Sequence, residues 1–401
     1  MIRKIGSASV GMFWACCLLV SCATASLPKA EMKKTIDESM KLAAQQYLQL
    51  HQKVPADLLP RSINPDGTLM TNKTDWWTSG FFPGSLWYIF EYTNNSDIKQ
   101  AALQRTKLIE QEKLNTRDHD IGFKIMCSFG NQLRILNDQT AIPVIVTAAK
   151  SLTQRFNPTV GSIRSWGANN DQKNFQVIID NMMNLELLFA ATRFTNDSSY
   201  YKTAVAHAQT TMANHYRADG SSYHVIEYNP MTGAVTKKKT HQGYADESAW
   251  ARGQAWGLYG FVVCYRETKD QRYLDQANRI AEFMLNHPNL PTDKVPHWDF
   301  NAPDVANSLR DASAASIMAS ALLELSKYVS GSQAKRYFAD AKTIIYNLSQ
   351  PPYRAALGDN HNFLLKHSVG HLPGKSEIDV PLSYADYYYL EAMMRYREMS
   401  K

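Results

Sequence analysis

The chain has 401 residues, 44% of them apolar and 20% charged, with 43 Lys and Arg against 37 Asp and Glu and a formal net charge of +6. Five cysteines without a Cys/His framework exclude a zinc fold. The single basic run, Lys237-Lys238-Lys239, sits beside the turn signal Pro230-Met231-Thr232-Gly233 and reads as a solvated loop rather than a nucleic-acid patch.

Arg3 and Lys4, followed by an apolar run from Val10 to Val20, read as an export leader that is too short to span a bilayer. Two cleavage points fit. Leu19-Val20-Ser21-Cys22 has the form of a bacterial lipobox, making residues 1–21 a lipoprotein signal peptide and Cys22 the lipidated mature N-terminus. Ala23-Thr24-Ala25 suits ordinary signal peptidase, which would remove residues 1–25. The apolar core ends directly on the tetrapeptide, which favours the lipoprotein. Either way the expectation is an exported, periplasmic protein whose one membrane contact is a lipid on Cys22. Loss of the leader's two positive charges takes +6 to +4, a mild balance compatible with an acidic ligand. Residues 22–30 read as a short linker and 31–401 as one catalytic domain. Cys127 and Cys264 lie in apolar helical stretches and read as buried free thiols.

Along the body an architecture repeats while the sequence does not. An apolar helix runs into a short polar turn and then into an amphipathic helix. Leu86–Tyr92 turns into Ala101–Glu110; Leu133–Leu136 into Ala141–Phe156; Leu187–Phe194 into Tyr201–Asn214; Leu258–Tyr265 into Tyr273–Asn286; and Ala321–Val329 into Ala334–Leu348. A sixth pair closes if Ser383–Met399 meets Glu31–Val54. This pattern predicts an all-α (α/α)6 barrel of six helical hairpins, with a linear solenoid as the alternative. Ser221–Tyr228 reads as a small β-hairpin over the cavity mouth.

Each proposed inner helix follows a segment dense in aromatic and polar groups, so six such segments converge on one cavity. Asp120 and Asp180 each open an inner helix. Helix capping is the ordinary reading of an Asp there. Their polar surroundings and shared cavity favour the alternative, a carboxylate pair for acid–base work on a glycoside. Trp76, Trp77, Trp166, Trp250 and Trp256 lie in the pre-helix segments, where a flat indole can stack on a sugar face. Arg252 and Gln242 are candidates for holding a carboxylate, with His224 a further donor. His367, His371 and Lys375 form a basic loop in which Lys375 is a candidate contact to a sulfate or carboxylate on a second sugar.

Six segments, in order, resemble glycoside hydrolase family 88, the unsaturated glucuronyl hydrolases: Trp77–Gly84, His119–Phe123, Ile178–Leu185, His241–Asp246, Ala251–Trp256 and Arg310–Ala314. That family's fold is the six-hairpin α/α barrel. The resemblance implies hydration of the C4=C5 double bond of a terminal unsaturated uronate, after which a hemiketal rearranges and the glycosidic bond breaks. It implies Asp180 as the acid/base and Asp120 as its supporting carboxylate. His119, His224, Gln242, Trp250, Arg252 and Trp256 would form the sugar site, with Trp76 or Trp77 and Trp166 beside them. No metal or cofactor is expected. The implied partners are unsaturated, optionally sulfated, disaccharides or short oligosaccharides. The rival readings are a family 105-like rhamnogalacturonyl hydrolase, a glycan-binding surface lipoprotein, and a sugar epimerase on the same barrel. One tension stands: a helix N-terminus lowers a carboxyl pKa, whereas a proton donor needs a raised one.

Overall fold

The computed structural model describes residues 27–401, so the leader, its cleavage points and Cys22 lie outside the described residues. The helices are α1 (Lys29–Lys53), α2 (Phe81–Thr93), α3 (Ser96–Ile109), α4 (Ile121–Ile125), α5 (Asn131–Leu136), α6 (Ala141–Thr153), α7 (Leu185–Thr195), α8 (Ser198–Asn214), α9 (Ala251–Thr268), α10 (Gln271–Asn286), α11 (Ala312–Leu325), α12 (Gly331–Leu348) and α13 (Ser383–Met399). α4 and α5 are one inner helix interrupted by a π-turn at Met126–Gly130. α1 begins at Lys29, inside the stretch expected to be linker.

Inner and outer helices alternate as the sequence pattern predicts. α11 is buried at every residue and α9 from Ala251 to Cys264, whereas the outer α10 and α12 bury one face. α13 packs on both α11 and α2, which closes the ring and removes the solenoid alternative. Cys127 and Cys264 are buried free thiols. Among the described residues, no helix is long and apolar enough to cross a membrane.

The turn from each inner to its outer helix uses a repeated local device. Asn94, Asn137, Asn196 and Lys269 end inner helices with φ of 54°, 53°, 59° and 58°, a left-handed conformation that asparagine tolerates better than most residues. Asn95, Asp197 and Asp270 then cap the next helix by accepting backbone N–H groups. These turns are short. The return connections, from outer to inner helix, are long and carry all the strands among the described residues.

Those strands are β1 (Leu59–Ile63) with β2 (Leu69–Asn72), β3 (Phe156–Asn157) with β4 (Ser162–Ile163), a three-stranded sheet of β5 (Phe175–Ile178), β6 (Val225–Tyr228) and β7 (Val235–Lys239), and β8 (Ser368–His371) with β9 (Ser376–Val380). The single expected hairpin is thus four small sheets. Strands this short hold no alternation long enough to register in sequence. Two basic segments change character accordingly. Lys237-Lys238-Lys239 is strand rather than loop, with Lys239 paired to Glu227 across the sheet. His367–Lys375 is the first half of the β8–β9 hairpin, in which His367 meets Asp379 at 2.7 Å and His371 meets the His241 carbonyl at 2.8 Å.

Candidate active site

The long connections bring Asp120 and Asp180 together at the N-terminal end of the inner helices. Asp120 precedes α4 with φ −78° and ψ 10°, and its side chain makes no capping bond. Asp180 lies inside a 3-10 turn, Ile179–Asn184, that joins β5 to α7. Its Oδ2 has no hydrogen-bond partner among the described residues. Capping is therefore not the role of either carboxyl, in contrast to Asp311, which accepts the Ser313 N–H at the start of α11. The two segments meet through Gly122: a Cβ there would lie 2.6 Å from Asn184 Cα, so only glycine permits the approach. Asn184 Oδ1 then accepts the Phe123 N–H at 2.9 Å, tying the carriers of both carboxyls together.

Burial raises both carboxyls to about 7. For Asp180, burial is opposed by Arg252 and His119 and reinforced by Asp120. For Asp120, the neighbouring Asp118 adds to burial, and Lys124 and Arg155 oppose it. Desolvation is the largest influence on both carboxyls and acts in the direction a proton donor needs, and Asp180 sits on a 3-10 turn rather than at an α-helix start.

Two histidines flank the pair. His119 is wholly buried, with its Nε2 at 3.5 Å from Asp120 Oδ1 and no hydrogen-bond partner for either ring nitrogen. Burial lowers it to about 4, so it is neutral at pH 7. His224 Nδ1 faces the backbone N–H groups of His241 and Gln242, both at 3.2 Å. A nitrogen that accepts two N–H groups carries no proton, so the proton of the neutral ring is assigned to Nε2. That nitrogen stands 3.6 Å from Asp180 Oδ2. Burial keeps His224 well below its ordinary pKa, and the ring offers a neutral donor.

Arg252 is buried, stacked over Trp250 at 4.4 Å. Its outer nitrogens donate to Asp311 and to the Val369 and Gly370 carbonyls. Gln242 Nε2 also donates to the Gly370 carbonyl, at 2.9 Å. Both residues hold the β8–β9 hairpin, and Arg252 keeps Nε unpartnered among the described residues.

The tryptophans divide by exposure. Trp77 packs against Phe81, Phe123 and Tyr384 with part of its surface open, and Trp166 is likewise half-buried beside His224 and His241. These two can stack on a sugar. Trp76 is 38% exposed but stacks at 4.0 Å with Arg61, on the rim. Trp250 is sandwiched between His224 and Arg252, and Trp256 is 0% exposed beneath Phe123 and Tyr388. Neither offers an open face, so both order the residues around the pit instead of stacking on a ligand. Lys375 stands exposed at the turn of the β8–β9 hairpin with φ 53°. Sequence reasoning gave Asp311 no role although it lies in the family-like segment Arg310–Ala314, and it missed Tyr384, Arg155 and Lys124, which carry no local signal of their place in the site. Among the described residues, no cluster of three or more His, Cys, Asp or Glu could hold a metal ion.

The model of the glycosyl hydrolase family 88 matches residues 51–267. A relative from Formosa agariphila, an unsaturated glucuronyl hydrolase, is 45% identical over 92% of this chain and 93% of its own length. The chain belongs to glycoside hydrolase family 88. It is a glycoside hydrolase with the α/α barrel of that family. An unsaturated glucuronyl hydrolase from Bacillus sp. GL1 is 35% identical over 84% of this chain and 91% of its own length. The crystal structure of an unsaturated glucuronyl hydrolase specific for heparin superimposes with a TM-score of 0.88 at 46% identity, covering 92% of this chain and 98% of that one.

Proposed function

We propose that this chain releases the 4,5-unsaturated uronic acid from the non-reducing end of lyase-generated glycosaminoglycan-type oligosaccharides by hydrating the C4=C5 double bond. The carrying observation is Asp180: a carboxyl raised to about 7, with an unpartnered Oδ2 facing the neutral His224. Half-protonated at neutral pH, such a group can lend a proton and recover it. Asp180 protonates C4, and the resulting carboxylate takes a proton from the water that adds at C5. The hemiketal formed at C5 then opens, and the leaving sugar departs from C1 without direct attack there. Asp120 holds the sugar and supports Asp180, and Trp77 and Trp166 bracket the ring.

The test is loss of the ultraviolet absorbance of the conjugated uronate over a panel of lyase-generated disaccharides. Heparin-derived members head the panel because the heparin-specific relative is so similar. Chondroitin-derived members follow, since a chondroitin disaccharide hydrolase from Streptococcus agalactiae is 32% identical over 92% of this chain. Turnover of unsaturated rhamnogalacturonides alone would overturn the reading in favour of the family 105-like activity. The same proposal includes export, with the mature chain lipid-anchored through Cys22. An intact mass that still contains Met1 would refute it.

A further inference from the structure

Two residues before Asp120 lies a charged strut that the hydration chemistry does not use. Asp118 Oδ1 accepts the Asp120 backbone N–H at 2.9 Å. Lys124, one helical turn beyond Asp120 on α4, donates to both Asp118 oxygens at 3.2 and 3.0 Å. Its Nζ also donates to the Asp75 carbonyl at 2.8 Å and stands 3.7 Å from Glu112. Asn115 bridges Glu112 and Asp118 through one side-chain amide, at 2.9 and 3.0 Å. Lys124 is 0% exposed. A lysine ammonium is placed there only at a large desolvation penalty, which this nest of oxygens offsets. The nest joins the start of α4 to the segment that leads into Trp77, so one lysine fixes both a carboxyl and the aromatic wall beside it.

We propose that Asp118, held by Lys124, is the positioning residue for Asp120: it fixes the backbone at the head of α4 and keeps a negative charge behind that carboxyl. Burial alone would raise Asp118, but the Lys124 ammonium outweighs it and holds Asp118 low, as an anion. The other groups facing Asp120 are His119 from the same segment, Lys124 from α4, Arg155 from the end of α6, and Asp180 with Asn184 from the 3-10 turn. Of the charged groups around Asp120, Asp118 has the largest effect on it.

The experiment separates charge from geometry. Asp118→Asn keeps an oxygen for the Asp120 N–H and removes the charge. The acid limb of the kcat/KM profile, set by protonation of the carboxyl pair, should move to lower pH by about half a unit or more. Asp118→Glu restores the charge on a longer arm, so the limb should return while kcat stays reduced. A second arm needs no substrate. The melting temperature of the native chain is compared with that of Asp120→Asn from pH 4 to pH 8. A carboxyl raised by folding stabilises below its unfolded pKa and loses that contribution as pH rises through its folded value. The native chain should therefore fall relative to Asp120→Asn between about pH 4 and pH 7, and with Asn at 118 the fall should be smaller and end at lower pH. An unchanged pH profile or an unchanged fall overturns the inference. Only the kinetic arm rests on the hydration reading. A native enzyme inactive on every unsaturated uronide would defeat that reading, while the unfolding series would still decide the role of Asp118.

Discussion

The two ends of the barrel are built from the same residue types with opposite results. At the C-terminal end of the inner helices a cavity of about 970 Å³ is lined by Glu186, Glu324, Glu391, Arg266 and Arg395 among others. There every one of these charges has its partner. Arg266 pairs with Glu186, Glu267 and Glu324, and Arg395 with Glu324 and Glu391. Glu391 also accepts from Tyr88, Tyr259 and Ser320. At the N-terminal end, Asp180 Oδ2, both nitrogens of His119, His224 Nε2 and Arg252 Nε have none. The charges named in the C-terminal cavity are thus satisfied by one another, whereas the N-terminal end holds buried groups with hydrogen-bonding capacity left over.

The contrast is broken most directly at Asp180. Asp180→Asn should lower kcat by about 10³-fold, the range for loss of a general acid–base, read by loss of the uronate absorbance. Its stability above pH 7 should be unchanged or higher, because the substitution removes a carboxylate that burial disfavours. Retained turnover would remove Asp180 from the chemistry.

Glu324→Gln at the opposite end should do the reverse. Leaving Arg266 and Arg395 short of a partner should lower unfolding stability by about 2–4 kcal/mol with kcat/KM intact below the melting temperature, measured by denaturant titration. Glu324 responds to acid with the opposite sign to the pit carboxyls. Burial raises its pKa, but Arg395 and Arg266 outweigh burial and hold it at about 2. Its contribution is therefore present above the ordinary glutamate range and lost as pH falls toward 2, whereas Asp120 and Asp180 weaken the fold as pH rises toward 7. Glu324→Gln should therefore lose less stability than wild type between neutral and acid pH; an equal acid loss in both would place the acid sensitivity elsewhere.

Smaller effects sharpen the picture of the rim. Trp166→Ala should raise KM about tenfold with a lesser change in kcat, whereas Trp250→Ala should lower stability as well, because it strips packing from His224 and Arg252. Lys375→Ala should leave unsulfated disaccharides unaffected and raise KM for sulfated ones by a few-fold at most, since an exposed charge contact is weak. Equal effects on both substrates would remove Lys375 from recognition.

Much of the ring was legible because inner and outer helices differ in composition. α11 is nearly all Ala, Ser and Leu, whereas α10 alternates charged and apolar residues at helical spacing. The carboxyl pair was legible from polar residues crowded beside Asp120 and Asp180. The strut behind Asp120 was not, since Asp118 and Lys124 look like ordinary surface charges until α4 folds one turn over the other.

By itself the chain determined the helix periods, the Asn turns that reverse them, and which segments gather at one end, since each depends on residues within a few positions. The tertiary structure decided which carboxyls lose their water, which histidine nitrogen keeps a proton, and whether a tryptophan shows a face or hides it. Those properties depend on neighbours tens to hundreds of residues away, such as the Val369 and Gly370 carbonyls that take up Arg252, and local sequence carries no record of them.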